Sequence, residues 1–280
     1  MPYKTILVHL DDGKHLRARA DLAAGLALTF SSHLVGLYAV DWAGLPSAAP
    51  GPLAAPASTA CAAHIAAQTG QANSEFDRQA GRHGISGAEF RSGSGDALSA
   101  MRLHARYADL LVIGQSAPEE PVCGVAANFP ELLVLAAGRP ILIVPYYTDV
   151  YPRLGQRILV AWDASREATR AVTDALPLLQ RAELVTVMAV NPDPASFTHG
   201  DIPGADLALY LARHGVKAQV SPSYTDQIDV GDDLLARASD LDIDLIVMGA
   251  YGHSRLREIV LGGVTHKLLR HMTVPVLMSH

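Results

Sequence analysis

The chain has 280 residues, 49% hydrophobic and 18% charged, which is core material for one large or two ordinary globular domains and excludes disorder as the dominant state. A formal charge of −6 gives no support to a nucleic-acid or anionic-membrane partner. No apolar run reaches transmembrane length, "MPYKTILVHLDDGKHL" becomes charged too early for a signal peptide, and the two cysteines, Cys61 and Cys123, lack CxxC spacing, so a cytoplasmic protein without zinc or disulfides is expected.

Taken in chain order, a Val/Ile/Leu run and an amphipathic stretch open the sequence as "KTILVHLDDGKHLRARADLAAGLA", from Lys4. Next comes a segment rich in Ala, Pro and Ser. Its part from Pro46 to Pro56 reads as an irregular loop, and the later "ACAAHIAAQTGQANSEFDRQA" as compatible with a helix. "SGSGD", Ser92 to Asp96, lacks the glycine a nucleophile elbow needs two residues before Ser94, and reads as a helix start. The strand-like runs "ADLLVIG" and "ILIVP" follow, and "YYTDVYPRLGQ", Tyr146 to Gln156, reads as a linker.

The second half then repeats the first. "QRILVAWDASREATRAVTDALPLL" from Gln156 aligns with the stretch from Lys4 at an offset of 152, pairing Asp11 with Asp163. "IDLIVMG" matches "ADLLVIG" at an offset of 135, and the same offset sets Pro140 opposite Pro275. Two tandem domains are expected, 1–147 and 155–280. In the second, the strands "RILVAW", "ELVTVMAV", "KAQVSPSY", "DLIVMG" and "VPVLMS" alternate with helices beginning near Ser165, Gly204, Val230 and Gly262. Apolar strands alternating with helices imply α/β domains with doubly wound parallel sheets. Ligands of such sheets bind beyond the strand carboxyl ends, where Asp163, Val190 and Gly249 fall.

"GAYGHSRLREIVLGG", Gly249 to Gly263, leads from a strand into a helix. Glycine admits close backbone approach, and the amides of such a turn and helix start can cradle an anion. Read alone, the pattern fits a phosphate cradle as well as it fits a structural turn with close helix–sheet packing. His253, Arg255 and Arg257 inside it fit either a phosphate contact or a solvated loop.

The strand-end Asp163, the G-x2-G-x9-G spacing of Gly249, Gly252 and Gly262, and the terminal "VPVLM" together resemble the universal stress protein family in its tandem two-domain form. The resemblance covers the whole chain apart from an insertion near residues 43–70. It implies Rossmann-like domains of the adenine nucleotide alpha hydrolase type, arranged as a pseudo-dimer. It also implies a stress-response regulator or sensor binding an adenine nucleotide (ATP, or ADP or AMP), with Mg²⁺, in the C-terminal domain. Asp163 and Val190 would contact the adenosine, and Ala161 and Met248 would line its pocket. Backbone amides of Gly262, Gly263 and Val264 would face phosphate. The ATP-binding branch carries Ser or Thr where this chain has Gly263, so one phosphate-facing hydroxyl is missing, and Thr265 lies two residues further on.

In the first copy, Ala117, Ala127 and Asn128 stand opposite Gly252, Gly262 and Gly263, and Glu119 and Glu120 would repel phosphate. One nucleotide site per chain is therefore the most expected. There is no G-x4-G-K-[ST], no HExxH and no spaced metal-ligand cluster among the twelve histidines, so no dedicated catalysis is expected beyond slow ATP turnover. The alternative function is an interaction module of the same fold without nucleotide. The edge strands "ILIVP" and "VPVLM" are expected to pair with each other, since an apolar edge left open invites aggregation. Further association into a homodimer and the protein partner are left open.

Overall fold

The computed structural model describes residues 2–41, 54–93, 95–120, 122, 124–147, 151, 154–190, 202–224, 228–251 and 263–280. Packing groups the chain into two compact units, one built from Tyr3–Ala137 and the other from Gly138–Tyr147 with Tyr151–His280.

In the first unit the elements run β1 (Thr5–Leu10), α1 (Leu16–Phe30), β2 (His33–Tyr38), α2 (Ala54–Arg82), β3 (Glu89–Ser92), α3 (Ala97–Ala105), β4 (Leu110–Gly114) and α4 (Phe129–Ala137). Its sheet has the order β3-β2-β1-β4, all parallel. β1 and β4 read as continuous apolar runs because helices cover both of their faces, and Ile6, Leu7, Val8, Leu110, Leu111 and Val112 are at most 1% exposed. Helix α2 begins at Ala54, so the irregular loop expected to reach Pro56 ends earlier. A proline in a first helical turn gives up an N–H that has no intrahelical partner there. Ala72, Phe76 and Ala80, four apart, bury one face of α2. Asp96 caps α3 by accepting from the Ser99 amide, which is the helix start that "SGSGD" implied.

The second unit contains β5 (Ile141–Val144), β6 (Arg157–Ala161), α5 (Arg166–Leu179), β7 (Leu184–Met188), α6 (Ala205–Arg213), β8 (Ala218–Val220), α7 (Val230–Asp240), β9 (Leu245–Gly249), α8 (Gly263–His271) and β10 (Val276–Ser279). The sheet order is β5-β10-β9-β6-β7-β8; β6 to β10 are parallel and β5 is antiparallel to β10. The two apolar edges thus pair as their sequences require. Leu142 faces Leu277, with Ile143 opposite Val276 and Ile141 opposite Met278. At the 135 offset Leu142 and Leu277 are repeat equivalents, while Ile141 and Ile143, the equivalents of Val276 and Met278, pair crosswise with them, so the ladder has a two-fold register centred on Leu142 and Leu277. The sequence alone puts 138–147 with the first repeat; in the fold this segment packs with the second.

One anchor recurs in both units. Asp109, just before β4, accepts from the amides of Lys4 and Thr5 as β1 begins. Its repeat equivalent Asp244 accepts from the amides of Gly155, Gln156 and Arg157 as β6 begins, at 2.8, 2.9 and 3.3 Å. Each carboxylate satisfies strand-start amides that lack a ladder partner and sets two neighbouring strands in register.

Candidate functional site

In the second unit the chain leaves β6 toward β7 and β8 on one side and returns through β9 and β10 on the other. The order reverses between β6 and β9, which is where ligands of doubly wound sheets bind. Ala161, Met188 and Met248 lie abreast in register, and Ser279 pairs with Gly249, so the parallel strands end together. Asp163 projects beyond β6 and is exposed, while Ala161 is half-buried and Met248 buried beside it. Val190 closes β7 by bridging to Ser223. The fold therefore brings Ala161, Asp163, Val190, Met248 and Gly249 to one sheet edge. Gly252 and Gly262 lie outside the described residues, as do His253, Arg255 and Arg257.

The turn after β6 is built tightly. Asp163 Oδ1 accepts from the Ser165 amide at 2.9 Å, Ala164 takes a left-handed φ of 59°, and Ser165 caps α5 through the Ala168 amide. Among the described residues four non-glycine positions have such a φ. Ser31 and Asp242 sit at helix C-termini, where that conformation closes the last turn. Ala164 and Tyr251 instead follow the two strands that flank the switch point, and strain held at strand ends is a mark of ligand sites.

Gly249 has a packing reason of its own. A Cβ there would fall 2.6 Å from the carbonyl carbon of Glu167 and closer still to the Ala168 amide, so the start of α5 leaves room for nothing larger than hydrogen. Gly263 differs. No described atom lies within 4 Å of the Cβ it lacks, and it is exposed at the start of α8, with Val264 half-buried behind it.

Residues 249–251 are held from two sides. The Ala250 amide donates to the Ser279 carbonyl at 2.9 Å, and His280 Nδ1 donates to the Ala250 carbonyl at 3.0 Å. The Tyr251 amide reaches Thr265 Oγ1 at 3.4 Å, and the Tyr251 and His280 rings meet edge to face at 6.3 Å. Thr265 is 4% exposed, because the helix turn that carries it faces the end of β9. Sequence reasoning missed His280 as a site residue, and its one visible signal was a polar side chain just after the last buried strand.

The first unit has the same switch point between β1 and β4, filled by its own side chains. Asp11, the counterpart of Asp163, is 5% exposed and paired with Arg19 at 2.8 Å. Arg19 Nε also donates to the His9 carbonyl at 2.7 Å, and a Cβ on Gly114 would collide with its guanidinium. His9 is 1% exposed, reaches the Ala39 carbonyl through Nε2 at 2.8 Å and stacks on Phe129 at 4.8 Å. Burial pushes the Asp11 carboxyl up, but the Arg19 and His9 charges with the Arg19 and Gly13 hydrogen bonds bring it below its ordinary value. Burial pulls the His9 imidazole down, opposed by Asp11 and aided by Arg19. At the 152 offset the second copy has Ala161 and Ala171 where the first has His9 and Arg19.

Parallel strands wound to both sides of one switch point, with Asp163 and Gly249 at the ends of the two that flank it, define a doubly wound α/β domain. Residues 155–280, the second repeat, match the model of the universal stress protein family. A universal stress protein of Synechocystis sp. is 26% identical over 155 residues, 52% of this chain and 49% of that protein. Another, from Methanocaldococcus jannaschii, is 36% identical over 47 residues, 17% of this chain and 29% of that protein. The chain thus spans about half the length of the first curated relative and less of the second. The crystal structure of a universal stress protein from Archaeoglobus fulgidus aligns with a TM-score of 0.73 at 16% identity, covering 98% of this chain and 97% of that one. The likeness in fold therefore extends over nearly the whole chain. Among the described residues no helix is long and apolar enough to cross a membrane.

Proposed function

We propose that the second copy binds one adenine nucleotide, ATP with Mg²⁺, and that the protein serves as a stress-response sensor or regulator without dedicated catalysis. The adenosine lies against Ala161, Asp163, Val190 and Met248. The phosphates meet the backbone of Gly249, Gly252, Gly262, Gly263 and Val264, where a helix start offers free amides and the positive end of its dipole. The contrast between the two switch points carries this reading. Asp163 is exposed in a copy that has Ala161 and Ala171 at the positions of His9 and Arg19, whereas Asp11 is buried and paired with Arg19. The first copy has its own cation in place of a ligand, so the stoichiometry is one nucleotide per chain.

A second reading, an interaction module without nucleotide, is favoured by the missing hydroxyl at Gly263. Mass spectrometry on denatured, freshly purified chain separates the two. One adenine nucleotide per chain is expected, and a ligand present at a hundred times its Kd stabilises the fold by about 2.7 kcal/mol, visible as a raised Tm. An empty protein whose Tm does not respond to millimolar Mg-ATP leaves the interaction module.

A further inference from the structure

The contacts on residues 249–251 come from two places far apart in sequence. Thr265 lies on α8, 14 residues beyond Tyr251, and His280 follows β10, 30 residues beyond Ala250. Both hydrogen bonds end on backbone atoms, the Tyr251 amide and the Ala250 carbonyl, so what they fix is the path of the chain. That path is costly, because Tyr251 holds a left-handed φ of 60° that a bulky side chain adopts only when its surroundings impose it.

The duplication provides an internal control. At the 135 offset Thr265 corresponds to Pro130 and His280 to Pro145, while Gly249 keeps its equivalent in Gly114. Proline has neither a hydroxyl nor an imidazole, so the first copy retains the strand-end glycine and lacks both contacts. The residue at Tyr251's place there, Ser116, does not take a left-handed φ. The two side chains and the unusual backbone therefore occur together in the copy with the exposed aspartate, and are absent together from the copy whose aspartate is buried.

We infer that Thr265 and His280 are positioning residues that hold Gly249–Tyr251 in a preformed binding shape, Thr265 by accepting from the Tyr251 amide and His280 by donating to the Ala250 carbonyl. This rests on the nucleotide reading above for its ligand, and on the geometry alone for its effect on the turn. The Thr265 hydroxyl does not replace the one missing at Gly263, since it is buried and directed at the turn. It shapes the backbone from behind, and a turn fixed beforehand costs a ligand less ordering on binding.

The test uses the full chain with Thr265→Val, Thr265→Ser, His280→Ala and His280→Gln. Amide hydrogen exchange without nucleotide is expected to speed up at Tyr251 in Thr265→Val and to stay at the wild-type rate in Thr265→Ser. Titration with Mg-ATP is expected to show Kd raised about fivefold by Thr265→Val and by His280→Ala, the loss of one modest hydrogen bond each, with stoichiometry unchanged and the Ser variant near wild type. Unchanged exchange at Tyr251 in Thr265→Val, or wild-type Kd in both Thr265→Val and His280→Ala, overturns the inference while leaving the nucleotide reading intact. A wild-type chain that takes no Mg-ATP overturns that reading and the ligand half of this one, and exchange at Tyr251 then decides whether the turn is held as described. Should His280→Ala fail to fold, His280→Gln, which keeps a donor, is expected to bind as wild type, and a fivefold loss there also counts against the inference.

Discussion

Two glycines of the same motif do different physical work. Gly249 is required by the backbone of α5 pressed against it, and would be needed in a protein that bound nothing. Gly263 meets no described atom and has no left-handed φ, so a side chain there costs little. Gly263→Ser is therefore expected to leave the Tm unchanged or slightly raised, since glycine is a poor helix residue. If the nucleotide lies where proposed, the added hydroxyl tightens Mg-ATP binding by about fivefold, read by calorimetry. Unchanged or weaker affinity would mean that phosphate does not lie at the start of α8. Thr265 and His280 act at the same scale, through backbone contacts that no local spacing announces.

At the scale of elements, the paired edge strands carry a direct prediction. β10 has β9 on one side and β5 on the other, and Val276, Leu277 and Met278 are fully buried. A fragment of 155–280 lacks β5 and leaves an apolar edge open, in a register that is its own complement. It is expected to self-associate in light scattering, while the full chain, in which β5 covers that edge, does not do so at the same concentration. Equal behaviour of the fragment and the full chain would argue against the pairing as the protecting device. Much at this scale is legible in the sequence, because alternation and capping are local. The repeat, the helix starts at Ser165 and Asp96, and the strand ends carrying Asp163 and Gly249 all follow from neighbours in the chain. The rest is not legible because it is made across the fold. Arg19 reads as one more residue of an amphipathic helix, and only the packing of α1 on β1 and β4 puts its guanidinium on Asp11. The start of α2 is hidden by Pro56, which a first helical turn accepts.

For the molecule as a whole, the buried triad of the first copy ties stability to pH. The folded chain keeps His9 from taking a proton at its ordinary value of about 6.5, whereas the unfolded chain accepts it there. The unfolded state then binds more protons, so this contribution is complete above about pH 6.5 and is lost as pH falls toward the folded value. Asp11, held below its ordinary value, adds a loss of the same sign at lower pH. Denaturant midpoints are expected to fall between pH 7.5 and 5.5, with a slope of at most about 1.4 kcal/mol per pH unit from one group. His9→Gln should flatten this slope, and an unaltered slope would place the titrating group elsewhere.

The two-fold register of β5 on β10 also bears on dilution. Two separate chains meeting through such strands would part as their concentration fell, and any function tied to the contact would follow expression level. Here both strands belong to one folded chain, so each sees the other at a local concentration that dilution cannot lower. The contact is therefore equally complete in a cell holding few copies and in one holding many. Copies carried on one chain need not remain identical, which leaves one switch point free to fill with Arg19 while the other keeps its aspartate exposed.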